Sequence, residues 1–201
     1  MTMVQDLAQR MAEAAGKVSA KTSFITGMEE AYAYAAQLCA DKAPAKNLLE
    51  PGKDGGAERI MAAPGLSDEE YAALGEVCAD KGVTLIRDGL RSHLGGIDAA
   101  FTVADKAVAE TATMVLVSEN ESLRLATMVG EFHVMVVPTS RIAATALEIE
   151  GELAAMMAKP GSYTAFISGA SRTADIERVL ALGVHGPLEL HVLFLTEGED
   201  A

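Results

Sequence analysis

Three groups of polar side chains border apolar runs, and their types are those that bind anions and move protons. Glu110, Thr111 and Thr113 come at the start of the apolar run 113–117. A carboxylate there could act as general base or nucleophile, with the hydroxyls as hydrogen-bonding partners for a substrate. Ser168, Gly169, Ser171, Arg172 and Thr173 follow a second apolar run, 163–167, with Asp175 and Glu177 close behind. Hydroxyls, the amides of a helix start and a planar guanidinium fork are donors suited to a carboxylate or phosphate. Asp175 could pair with Arg172 or simply suit the first turn of a helix. His185 and Gly186 occupy a Val-His-Gly-Pro turn. Imidazole titrates near neutral pH, which makes His185 the best single candidate for proton transfer. Each group also has a plainer role: a turn glutamate bonded to local backbone, an N-cap serine beside a solvent-facing arginine, a histidine bracing its turn. Spacing alone leaves both roles open.

Other residue types narrow the chemistry. His133 and His191 sit inside apolar strands, where a histidine is more often structural than a ligand. Cys39 and Cys78 stand far apart with no Cys-x-x-Cys neighbour. Structural zinc or a thiolate-held cluster needs several such ligands, so neither a metal nor a cofactor is expected, and both cysteines read as apolar filler. No Gly-x-Gly-x-x-Gly follows a strand, so no electron carrier is recognisable. The 201 residues carry a formal net charge of −13, and half are hydrophobic. The charge argues against nucleic acid and anionic membrane surfaces as partners. The length and apolar content fit one well-cored domain, with or without a helical appendage. No run is long and apolar enough to span a bilayer. Asp6, Arg10, Glu13 and Lys17 break up any signal-peptide layout after Met1, so the expected location is cytoplasmic.

The elements that must position these groups can be read from periodicity. Helical spacing predicts helices over 2–20 and 28–41, the second stopped by Pro44. Residues 47–56, rich in Gly and Pro, read as a flexible loop and the best place for a lid. From there strands and helices alternate. Strands are expected at 59–63, 83–87, 97–103, 113–117, 132–137, 163–167 and 188–195. Ser67-Asp-Glu-Glu70 is a capping box opening a helix that runs to Lys81, with Leu66 and Tyr71 placed as a hydrophobic staple. Helices are also expected over 122–128, over 140–158 and just after Ser171. The pattern implies an α/β fold around an open, mainly parallel Rossmann-like sheet. Residues 1–56, helices and a flexible loop, are read as an N-terminal helical appendage packed on the α/β domain of 57–201.

Three blocks in order, 102–116, 132–137 and 168–192, resemble the LUD domain of the lactate-utilization protein C family. The third is the most specific: Ser168-Gly-Ala-Ser-Arg-Thr-Ala-Asp-Ile-Glu177, then Leu182-Gly-Val-His-Gly-Pro-Leu-Glu-Leu-His-Val192. The resemblance covers about half the chain. It implies a fold similar to the ribose-5-phosphate isomerase and CoA-transferase group, and Glu110 could be a general base or nucleophile as a glutamate is in the similarly folded CoA transferases. It also implies a part in oxidising L-lactate to pyruvate with two iron–sulfur partners, lactate-utilization proteins A and B. A small anionic ligand, carboxylate or phosphorylated, would sit at the third block. Two other readings remain: a non-catalytic assembly subunit, or a transferase- or isomerase-like enzyme for a phosphorylated or CoA-linked substrate. Family members read Gly where this chain has Ala112, and Pro where it has Ala170. A methyl at Ala112 restricts the backbone, so the first loop is expected to differ in shape.

Overall fold

Apolar residues three and four apart give two helices near the start of the chain, α1 (Met3–Lys17) and α2 (Met28–Asp41). The structure, a computed structural model, describes residues 3–41, 58–93, 96–159, 161, 163–173, 181–183 and 185–196. Three further helices follow: α3 (Asp68–Asp80), α4 (Glu121–Val129) and α5 (Glu150–Met157). The first six strands are β1 (Lys21–Ile25), β2 (Arg59–Ala62), β3 (Val83–Ile86), β4 (Ile97–Val103), β5 (Lys106–Val108) and β6 (Thr113–Ser118). The others are β7 (Gly130–Pro138), β8 (Ile142–Ala143), β9 (Tyr163–Ile167), β10 (Arg172–Thr173), β11 (Ala181–Leu182) and β12 (Glu189–Leu195).

Six strands form the main sheet in the order β1-β12-β7-β4-β2-β3, and every neighbouring pair is parallel. Its central strands are apolar on both sides, as a sheet covered on both faces requires. Phe101, Val134 and Leu193 pack under α2 and α3. Met135, Leu190 and Phe194 fill the opposite face beneath α1. Beside that second face lies a smaller sheet, β8-β5-β6-β9. There β6 is antiparallel to both β5 and β9, while β8 runs parallel to β5. The α/β class and mainly parallel sheet are as the sequence pattern implies. Among the described residues no helix is long and apolar enough to cross a membrane.

The start of α3 forms as its residues dictate. Ser67 Oγ accepts from Glu70 N–H at 3.3 Å, and Glu70 Oε2 accepts from Ser67 N–H at 2.9 Å. Leu66 and Tyr71 meet the same apolar cluster. Cys39 and Cys78 are buried in that cluster, where desolvation pushes their thiols up to about 12 and about 11.

Three expectations are corrected. The N-terminal helices are not an appendage, because β1 lies between them and pairs in parallel with β12, Lys21 opposite His191. β1 is a short edge strand with mixed burial, so its residues carry no clean alternation. The stretch 140–158 is not one helix. It breaks into a 3-10 turn (Thr139–Arg141), β8, a second 3-10 turn (Ala146–Ile149) and α5. Ile142 is drawn into the small sheet opposite Ala107, and Leu147 stays 81 % exposed, so the apolar spacing makes no continuous stripe. Lastly, Arg172 and Thr173 do not begin a helix: they form β10, antiparallel to β11. The loop 47–56 and the acids Asp175 and Glu177 lie outside the described residues.

Candidate functional site

The strand β9 delivers the chain to Ser168 at the end of the small sheet, and three hydroxyls meet there. Thr111 Oγ1 and Thr113 Oγ1 are 2.7 Å apart, and Thr113 Oγ1 lies 2.6 Å from Ser168 Oγ. Two polar groups from separate parts of the sequence are thereby joined edge to edge. Gly169 follows with φ 100°, a conformation that L side chains rarely adopt. A Cβ on Gly169 would lie 2.8 Å from the Val18 carbonyl oxygen, in the turn after α1. Arg172 Nη2 donates to that same oxygen at 3.1 Å, so the turn after α1 holds this loop at two points.

Ser171 is clasped by the turn that leads into β12. Its N–H donates to Pro187 O at 2.9 Å, and its carbonyl accepts from Gly183 N–H at 3.0 Å. Its Oγ accepts from His185 N–H at 3.4 Å. Gly186 lies so close that a Cβ there would sit 3.2 Å from Ser171 Cβ. Ser171 is therefore a bracket between two loops rather than a helix cap. Leu188 N–H donates to Glu131 O at 2.8 Å, which ties the second loop to β7.

These loops form one end of a groove of about 460 Å³. Its lining includes Ser168, Gly169, Ser171, Arg172, Thr173, His185 and Gly186, all named from sequence, together with β9, Thr127, Met128 and His133. The groove lies at the amino end of β7 and β12, since His133 is near the start of β7 and Pro187 precedes β12. No Asp or Glu appears among its described lining residues, in a chain of net charge −13. Glu131, two residues before His133 on β7, is partly buried and outside that lining. One exposed arginine, the His185 imidazole and several hydroxyls make this a donor-rich pocket on an acidic molecule, suited to a small anion.

Glu110 is not part of the groove. It is exposed, its Oε1 accepts from Ala146 N–H at 3.2 Å, and its own N–H donates to Ala144 O. The hydroxyl chain through Thr111 and Thr113 links its loop to Ser168. Within that loop Ala112 adopts φ 50°. The left-handed backbone that glycine takes freely is here reached with a methyl in place, and Ala112 is 1 % exposed. The other strand histidine, His191, accepts or donates to Tyr34 Oη at 2.7 Å through Nδ1. Its Nε2 lies 3.0 Å from Glu189 Oε2.

His133, read from the sequence as structural, is counted in the groove lining from β7. It is 1 % exposed, its Nε2 lies 2.8 Å from Thr102 Oγ1, and burial pushes its pKa down to about 4. The signal for its place there is a histidine at the fourth residue of β7, just before the apolar run 134–137. Sequence reasoning also passed over a second concavity, of about 450 Å³, lined by Pro64, Gly65, Leu66, Asp105, Glu119 and Asn120 among others. It lies outside the carboxyl ends of β2 and β4. These neighbours lead the chain in opposite directions across the sheet, β2 to β3 and β4 toward β7, which makes this a topological switch point. Asp105 and Glu119 are acids, and Lys159 is paired with Glu119 at 3.3 Å. That charge pattern suits an anion less well than the groove does.

Against known proteins, the family model of the LUD domain matches residues 8–195. The chain belongs to the LUD-domain family. A lactate utilization protein C from Halalkalibacterium halodurans is 36 % identical over 94 residues, 45 % of this LUD-domain chain and 41 % of that protein. One from Deinococcus radiodurans is 33 % identical over 116 residues, covering 56 % and 54 %. The matched segment thus spans about half or less of the length of these relatives. A crystal structure of a DUF162 family protein from Deinococcus radiodurans superposes with a TM-score of 0.61 at 19 % identity, covering 97 % of this chain and 99 % of that one. That likeness speaks for the shared fold.

Proposed function

We propose that this LUD-domain chain is a component of an L-lactate utilization system and that it holds a small anion, a carboxylate or a phosphorylated metabolite, in the groove beside Ser168–Thr173. The observation that carries the reading is the absence of acids from the described groove lining in a strongly acidic chain. The relatives named lactate utilization protein C supply the context. In this reading L-lactate is oxidised to pyruvate with iron–sulfur partners, lactate-utilization proteins A and B, which take the electrons. Arg172 and the hydroxyls of Ser168 and Ser171 bind the anionic end. His185, exposed at the rim, would accept or donate a proton as the substrate's hydroxyl and carbonyl forms interconvert. Glu110, held by the Ala146 amide, shapes the loop that carries Thr111 and Thr113.

Thermal melting with L-lactate, pyruvate and inorganic phosphate tests the binding step. A ligand at about one hundred times its Kd stabilises the native state by about 2.7 kcal/mol, which for a chain of this size raises Tm by roughly 5–10 °C. Arg172→Ala should remove most of that rise. A wild type that none of these anions stabilises would refute the reading and favour the assembly-subunit alternative.

A further inference from the structure

The groove runs along an open strand edge. Among the described residues β9 pairs on one side only, with β6, at the border of the small sheet. In an antiparallel pair every second residue turns its N–H and C=O away from the neighbour, and those outward groups of β9 have no backbone partner among the described residues. Residues 163–169 line the groove without a gap. Their side chains alternate between the two faces of the strand, so an unbroken run means that the groove follows the strand's edge. Natural proteins protect such edges with charged side chains, proline or a bulge. Tyr163-Thr-Ala-Phe-Ile167 has no charge and no proline, and its pairing with β6 is one-to-one throughout, so it has no bulge. Tyr163 and Phe166, with Met128 from α4, instead leave large apolar side chains about half exposed in the groove. Apolar surface gathered in one concavity marks a docking surface. The five residues of β9 alone extend about 17 Å, far more than a three-carbon acid fills. The strand leads to Arg172, which lies in the same acid-free lining and spends one Nη2 donor on Val18 O. In a chain of net charge −13, that end of the groove complements a carboxylate.

We propose that β9 takes up an extra strand: the extended C-terminal segment of a partner polypeptide, parallel to β9, with its terminal carboxylate at Arg172. The direction follows from the fold, because β9 runs toward Ser168 and Arg172, and a chain that ends there must run the same way. Backbone pairing along the edge supplies affinity, and alternate side chains of the added strand meet Tyr163, Phe166 and Met128. The guanidinium fork gives the terminus charge-assisted hydrogen bonds. A second copy of this chain is the poorer occupant, since each copy carries a net charge of −13. The proposal rests on the anion-binding reading of the groove given above and names the bearer of the charge. A chain terminus and a metabolite anion then compete for the same end.

A set of hexapeptides with apolar residues at alternate positions tests this, each labelled at its amino end and made both as free acid and as carboxamide. Fluorescence polarisation measures their binding to wild type, Arg172→Ala and Phe166→Glu, the last placing an acid on the exposed groove wall. Amide hydrogen exchange of β9 is followed in wild type with and without peptide. An acid of the set should bind at least about tenfold tighter than its carboxamide. Arg172→Ala should lose that ratio, Phe166→Glu should lose binding of both forms, and alternate amides of β9 should exchange more slowly in the complex. The ratio and the exchange data use wild type alone, so they decide the matter even where a substitution unfolds the protein. Equal binding of acid and carboxamide, or binding that leaves β9 exchange unchanged, overturns the proposal. A dimer in sedimentation that Phe166→Glu dissolves, with no peptide bound, overturns it in favour of a second copy. If no peptide binds but L-lactate, pyruvate or inorganic phosphate binds through Arg172, the strand proposal falls and the anion reading stands. Peptide acids binding where none of those small anions does would uphold the proposal and confine the anion reading to chain termini. Failure of peptides and small anions alike overturns both.

Discussion

Replacing His133 by Gln should change how the protein's stability depends on pH. The ordinary histidine pKa of 6.5 is pushed down to about 4 by burial in the folded chain. Between those values the unfolded chain takes up a proton that the folded chain refuses, so acid favours unfolding. The stability this residue contributes is fully present above pH 6.5 and is lost as the pH falls through about 4. At about 1.4 kcal/mol for each tenfold change in proton activity, the interval amounts to about 3 kcal/mol. That is a large share of the roughly 5–15 kcal/mol typical of a native domain. Urea melts of wild type and His133→Gln in half-unit steps from pH 7.5 to 5 give the comparison. The wild-type curve should fall more steeply, the two diverging by up to about 1.4 kcal/mol per unit below pH 6.5. Carboxylates that titrate at the acid end are common to both proteins and drop out of the difference. Parallel curves would show that His133 is not held neutral by the fold.

Further consequences follow from local backbone and burial. Ala112→Gly should alter stability by no more than about 1 kcal/mol, because relief of the left-handed backbone is offset by lost methyl burial and a freer unfolded chain. Ala112→Val should destabilise by about 2 kcal/mol or more, since a β-branched residue tolerates that conformation poorly; urea melts of both variants decide it. Gly169→Ala forces a methyl to within 2.8 Å of Val18 O, and should cost about 1–3 kcal/mol and weaken any Arg172-dependent anion binding. Cys39 and Cys78, both buried with raised thiol pKa, should react with a thiol reagent at pH 8 only as fast as the protein opens. Rapid labelling of native protein would contradict their placement.

Local chemistry made much of the fold readable, and the failures have physical reasons. The capping box at Ser67 and Glu70 specifies its own hydrogen bonds within four residues, so sequence and structure agree there. The central strands β4, β7 and β12 are announced by apolar runs buried on both faces. β1 escaped notice because an edge strand with one sheet neighbour needs no such run. Arg172 and Thr173 do not read as a strand because β10 owes its strand form to pairing with β11, not to its own residues. At the site, Ser168, Ser171, Arg172 and His185 share a groove as their order in the sequence suggested. His133 and Thr164 could not be found that way.

Among the described residues β1 has a single sheet neighbour, β12, which comes far later in the sequence. As the polypeptide emerges from the ribosome, Lys21–Ile25 must wait for Glu189–Leu195 before it can join the sheet. β12 in turn slides between β1 and β7, completing two ladders in one event. Closure of so long a loop precedes the contacts that reward it, which makes the final step slow and leaves two strand edges unguarded until then. Premature termination before β12 would therefore leave β1 unpaired as well as remove β12, and such fragments should be sticky rather than merely shorter.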